Sequence, residues 1–204
     1  METFLSICLG IGLSAACGFR VFVPLLFLSI AALTGHVHLA QGFAWIGTYP
    51  ALTVFGVATV LEIGAYYIPF LDNLLDSIAI PAAVVAGAMV TASCVTGMSP
   101  MLKWTLAIIA GGGAAATTQV VTTKLRALSS ATTAGLGNSV LATAEAGGSA
   151  GLSLISVLWP IVGMILTVLL LISGLFLVVY LSKKILRWLK RTSSPTAAAA
   201  GTLG

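Results

Sequence analysis

From Pro160 to Tyr180 the chain runs for 21 residues without a charged side chain, with Trp159 before it and Tyr180 at its end. At 1.5 Å per residue that is one hydrocarbon thickness, with an aromatic residue at each interface. A run of this kind forces a choice between a membrane and a very large buried core. A chain of 204 residues has no such core to offer, so the run predicts a transmembrane helix.

The rest of the sequence agrees. Nine basic and five acidic residues make up 7% of the chain, 59% is hydrophobic, and mean hydropathy is +1.13. Soluble domains carry about 25% charge. The expectation is an all-α, polytopic transmembrane bundle forming one domain over residues 1–191, with a disordered tail over 192–204. Further spans are predicted at Pro50–Ile68, flanked by Trp45, Tyr49, Tyr66 and Tyr67, at Ser77–Gly97, and from Trp104 to about Val121.

Two stretches do not read as simple crossings. Residues 4–34 are too long for one span and too short for two, and Gly10, Gly12, Gly18 and Pro24 interrupt them. A broken or sharply kinked helix is expected there. Residues 111–158 hold ten serines and threonines between Thr117 and Thr143. Such a segment is too polar to face lipid and too poor in charge for an exposed loop, so it is expected to line a cavity or re-enter the membrane. An offset of 100 residues matches nine positions of residues 12–35, among them Gly12 with Gly112 and Ser29 with Ser129. An internal inverted repeat, with halves 1–99 and 100–191, is one reading of this match. Chance in Ala/Gly/Leu-rich sequence is the other.

Charges inside apolar runs are the main functional signal, because each is costly in hydrocarbon. Arg20 stands in "CGFRVFVPLL" and Glu62 in "ATVLEIGAYY". They are the natural counter-charges, either as a structural pin or as a transport site. On this reading Gly18 lets the backbone leave the helix, and Pro24 frees a carbonyl for the guanidinium. Asp72 and Asp76, four apart, share a helix face and form either a solvated cap or a cation-attracting vestibule. Lys124 and Arg126 would hold an anion, balance Glu145, or snorkel to an interface.

Other chemistry is poorly supported. Cys8, Cys17 and Cys94 lie in apolar surroundings and read as buried thiols, and His36 with His38 makes at most a weak metal pair. No cofactor motif or nucleophile–base set is legible, so no enzyme and no cofactor are expected. The N-terminus carries no recognisable signal peptide. Lys183, Lys184, Arg187, Lys190 and Arg191 follow the last span directly. They predict a cytoplasmic C-terminus on anionic lipid, and residues 182–191 are expected to lie along the membrane surface. Lys103 would share that side if residues 111–158 add no further full crossing. No nucleic-acid partner is expected, and homo-oligomerisation stays open.

"GFRVFVPLL", "LEIGAYYIPFLDNLLDSI" and the proline- and glycine-bearing helix that follows resemble domain-of-unknown-function family 4126, small multi-pass bacterial membrane proteins. The family's recognisable positions match Gly18, Arg20, Glu62, Pro69, Asp72 and Asp76. Around Glu145 the chain departs from the adjacent acidic residues expected. The resemblance implies a multi-pass membrane protein and no particular activity; the expected location is the inner membrane. From the residues, the expected function is a small transporter or channel for an ion or small polar solute. A non-catalytic structural or assembly protein is the alternative, and an intramembrane enzyme the more distant one.

Overall fold

A computed structural model describes residues 1–133 and 137–192, without the side chains of residues 69, 70, 72, 73 and 185–192. The described residues are helical and contain no strand. The elements are α1 (Glu2–Cys17), α2 (Phe22–Leu33), α3 (Tyr49–Ala65), α4 (Pro69–Cys94), α5 (Pro100–Leu106), α6 (Gly113–Thr133), α7 (Asn138–Leu158) and α8 (Pro160–Thr192). A π-helical turn, Ala107–Gly112, joins α5 to α6, so Pro100–Thr133 is one continuous rod. Among the described residues, four helical segments are long and apolar enough to cross a membrane: Leu74–Cys94, Pro100–Thr133, Asn138–Leu158 and Pro160–Lys184. The chain is an all-α membrane bundle.

Helix α1 is the axis of the bundle. Every residue from Cys8 to Cys17 is buried, and the helix is covered by α4, α6, α7 and α8. Small residues allow this. A Cβ on Gly12 would stand 3.0 Å from the Ser156 Cβ, and Ser14 sends its hydroxyl to the Gly87 carbonyl at 2.6 Å. Without a hydrophobic difference between lipid and protein, close packing and hydroxyl bonds of this kind hold membrane helices together.

The interrupted first region is a re-entrant pair. Thr3, at the start of α1, packs on Gly97, and Ala40, beyond α2, donates its N–H to the Ser93 carbonyl at 2.7 Å. Both ends therefore lie at the C-terminal end of α4. The turn between α1 and α2 lies far from there, with Gly18 against Thr118 and Gln119. Gly18 has φ −73° and ψ −13°, an ordinary helical conformation. Its role is therefore not conformational freedom, as its place at a helix break suggests, but contact. A Cβ there would meet the Ala115 carbonyl and stand 2.5 Å from the Thr118 Cβ. Pro24 likewise frees no intrahelical bond, because it lies in the first turn of α2, where N–H groups have no helical partner.

The second unusual region departs from the re-entrant alternative expected from sequence, while Gln119 within it does line a cavity. Residues 111–158 neither re-enter nor break into short pieces; they form most of the Pro100–Thr133 rod and the returning α7. Many of their hydroxyls bond carbonyls of their own helix, as Thr117 does to Gly113 and Thr132 to Leu128, while Thr118 and Thr122 are buried. The extra crossing sets Lys103, near Gly97, at the opposite end of the bundle from Lys183 and Lys184. The offset of 100 residues pairs the break at Gly18–Val21 with unbroken helix at Thr118–Val121, so the sequence match does not extend to the backbone. Residues 182–191 continue α8 without a turn onto the surface. The tail over 193–204 lies outside the described residues.

A buried arginine–carboxylate cluster as the candidate functional site

Arg20 sits on the re-entrant turn and is 1% exposed. The backbone reaches this point because α1 ends at Cys17 and the N–H groups of Phe19 and Arg20 close on the Ala16 carbonyl at 3.0 and 3.2 Å. The guanidinium then extends across to α7. Nη2 donates to the Ala142 carbonyl at 3.0 Å and lies 3.2 Å from Glu145 Oε2. Nε and Nη1 are buried without hydrogen-bond partners.

Glu145 is the hub of the cluster. Arg126 of α6 donates Nε to its Oε1 at 3.0 Å and pairs Nη2 with its Oε2, a bidentate fork on a buried carboxylate. Arg126 Nη1 also lies 3.9 Å from Asp76 Oδ1 on the first turns of α4. The carbon centres of both guanidiniums lie over the Tyr66 ring, 3.6 Å away for Arg20 and 4.3 Å for Arg126. Five helical elements or turns thus meet at one point: the tip of the re-entrant pair, α4, α6, α7, and the C-terminal cap of α3.

Glu62 is close by but has a different partner from the one expected. Among the described residues no ion pair joins it to Arg20. Its Oε1 accepts the Val21 N–H at 2.7 Å and its Oε2 the Phe22 N–H at 3.0 Å. Val21 and Phe22 are the cap and first residue of α2, so Glu62 is a tertiary cap for a helix that has no side-chain cap of its own. A carboxylate at a helix N-terminus also meets the positive end of the helix dipole.

The structure therefore gathers Arg20, Arg126, Glu145 and Asp76 from the sequence-derived candidates and places Glu62 on its rim. Lys124 is exposed, because two residues from Arg126 point to different helix faces. The Asp72 side chain lies outside the described residues. His36 and His38 stay in the loop beyond α2, and the described residues hold no group of three metal-ligating side chains. Sequence reasoning missed Tyr66, which reads as half of an interfacial Tyr66–Tyr67 belt. Its spacing of four from Glu62 on α3 was the available signal, since that spacing puts both on one face.

A family model described as Domain of unknown function (DUF4126) matches residues 7–180. The chain belongs to this family. No match was found among the curated proteins or the solved structures.

Proposed function

We propose that this member of the DUF4126 family moves an ion or small polar solute across a membrane, with the Arg20–Arg126–Glu145–Asp76 cluster as its binding and gating centre. One observation carries the reading. Arg20 is buried at the tip of a re-entrant helix pair, and two of its three guanidinium nitrogens have no hydrogen-bond partner in the protein. Buried donors are nearly always satisfied, and intramembrane charge is seldom kept without use. A polar solute that supplies acceptors would satisfy those donors and compete with Glu145 for the guanidinium. Loosening that pair would free the re-entrant tip from α7, which gives binding a route to movement.

A second reading is favoured by a different observation. Both oxygens of Glu62 and both of Glu145 are engaged within the protein. That suits a non-catalytic membrane structural protein whose cluster only pins helices together. We infer no enzymatic role and no cofactor in either case. The basic run after Pro160–Tyr180 supports a cytoplasmic C-terminus resting on anionic lipid in an inner membrane.

Flux separates the two readings. Purified protein in liposomes is tested with imposed gradients of potassium chloride, sodium nitrate, ammonium acetate and glycerol. The transport reading expects at least one of these to cross faster than in protein-free liposomes, and slower again in folded Arg20→Lys. Folded wild-type protein that moves none of them favours the structural reading.

A further inference from the structure

Next to the charge cluster a cavity of about 430 Å³ lies between α3 and α4. Its walls are apolar, with Ala58 and Leu61 from α3 and Leu75, Ile78 and Ala82 from α4. Leu61 is 66% exposed and Ile78 53%, and they continue the outward rows of Val57, Val60, Leu74 and Val85. The mouth thus opens on the surface that α3 and α4 offer to the bilayer. A volume of this size is in the range of small-molecule sites, and an occupant arriving through this mouth comes from hydrocarbon.

The polar part of the lining includes a carboxylate and no cationic side chain. Glu62, Tyr66 and Gln119 contribute to it. The Gln119 amide nitrogen donates to Thr123 Oγ1 at 3.4 Å, which leaves its carboxamide oxygen as an acceptor. Glu62 brings a carboxylate to the wall itself, while the two guanidiniums lie over the Tyr66 ring and on Glu145 and do not line the cavity. Among the described side chains, Glu62, Glu145 and Asp76 outnumber Arg20 and Arg126 by one charge at the inner end.

We propose that this cavity binds lipophilic cations, molecules with an apolar body and an ammonium head, which enter from the bilayer between α3 and α4. The body replaces lipid against the alanine and leucine walls. The head donates to Glu62 and Gln119 at the inner end, in a low-dielectric setting where opposite charge counts most. A fatty-acid carboxylate of equal length would meet Glu62 with like charge. A neutral chain would bring no charge to Glu62 and no donor to the Gln119 carboxamide oxygen. The binding stands whether or not the cluster carries flux.

The test uses full-length protein in phosphatidylcholine nanodiscs and a diazirine-bearing dodecylamine as photolabel, with peptide mapping by mass spectrometry. Labelling is expected to saturate on residues 58–82, and unlabelled dodecylamine should compete about tenfold better than dodecanoate. Ala82→Phe, which fills the cavity, should abolish it at unchanged thermal stability. Ala58→Leu serves the same end from α3 if Ala82→Phe does not fold. Gln119→Leu should weaken amine competition and leave dodecanoate unaffected. Equal competition by dodecanoate would reveal a plain acyl-chain groove and overturn the assignment. So would labelling spread evenly over α3, α4 and α8, or labelling that survives both filling variants.

Discussion

Arg20 and Glu145 lie 3.2 Å apart across 125 residues of sequence, and their contact fastens the tip of the re-entrant pair to the first half of α7. Arg126 holds the same carboxylate from α6. Glu145 therefore neutralises two buried cations at once. In a desolvated site the loss of one partner is felt mainly through the charge left behind.

Removing the hub should do more damage than removing either spoke. Glu145→Ala strands two guanidiniums, while Arg20→Ala leaves Glu145 paired with Arg126. Each loss is expected to cost about 3–5 kcal/mol, with Glu145→Ala at the upper end. Thermal unfolding in detergent should rank Glu145→Ala below Arg20→Ala. The reverse order would mean that Arg20 has the more important partner elsewhere.

Tyr66 should act through its ring. Tyr66→Phe keeps the face on which Arg20 and Arg126 lie and is expected to stay within about 0.5 kcal/mol of wild type. Tyr66→Leu removes the cation–π contacts and should lose about 2 kcal/mol. Equal losses in both variants would assign the stabilisation to the hydroxyl.

Gly18→Ala tests the close approach of the tip to α6. The added methyl would meet the Ala115 carbonyl and the Thr118 side chain, so an overpacking loss of about 1–3 kcal/mol is expected. Because Gly18 has helical dihedrals, Ala would otherwise be tolerated or favoured there. A stabilised Gly18→Ala protein would show that α1 and α6 stand further apart.

Topology gives a prediction independent of stability. Lys103 and Lys183 lie at opposite ends of the bundle. The basic run predicts a cytoplasmic C-terminus, and on that orientation a single cysteine replacing Lys103 should react with a membrane-impermeant maleimide added to intact cells. Reaction of a cysteine at 183 instead would invert the orientation. Reaction at both positions or at neither would remove the extra crossing by α7.

How much of this was legible in the sequence follows from which signals are local. The apolar run Pro160–Tyr180 and the break after Cys17 are local facts, and both survive in the structure. Arg20, set in an apolar run of sequence, is buried in the structure as well. Which carboxylate faces Arg20 was not legible, because Glu62 and Glu145 are equally charged and only the fold shows that α2 lacks a cap. The serine- and threonine-rich stretch misled for a related reason. Hydroxyls bonded to their own helix carbonyls make a polar sequence compatible with a continuous helix, and composition does not reveal those bonds.

Glu62 and Glu145 both lie near Arg20, and the account stands on their different roles. Double-mutant cycles by thermal unfolding in detergent compare Arg20→Met with Glu145→Gln and with Glu62→Gln. Coupling of about 2 kcal/mol or more is expected for Arg20 with Glu145, and below about 0.5 kcal/mol for Arg20 with Glu62. Strong coupling to Glu62 with near-additivity at Glu145 would contradict it.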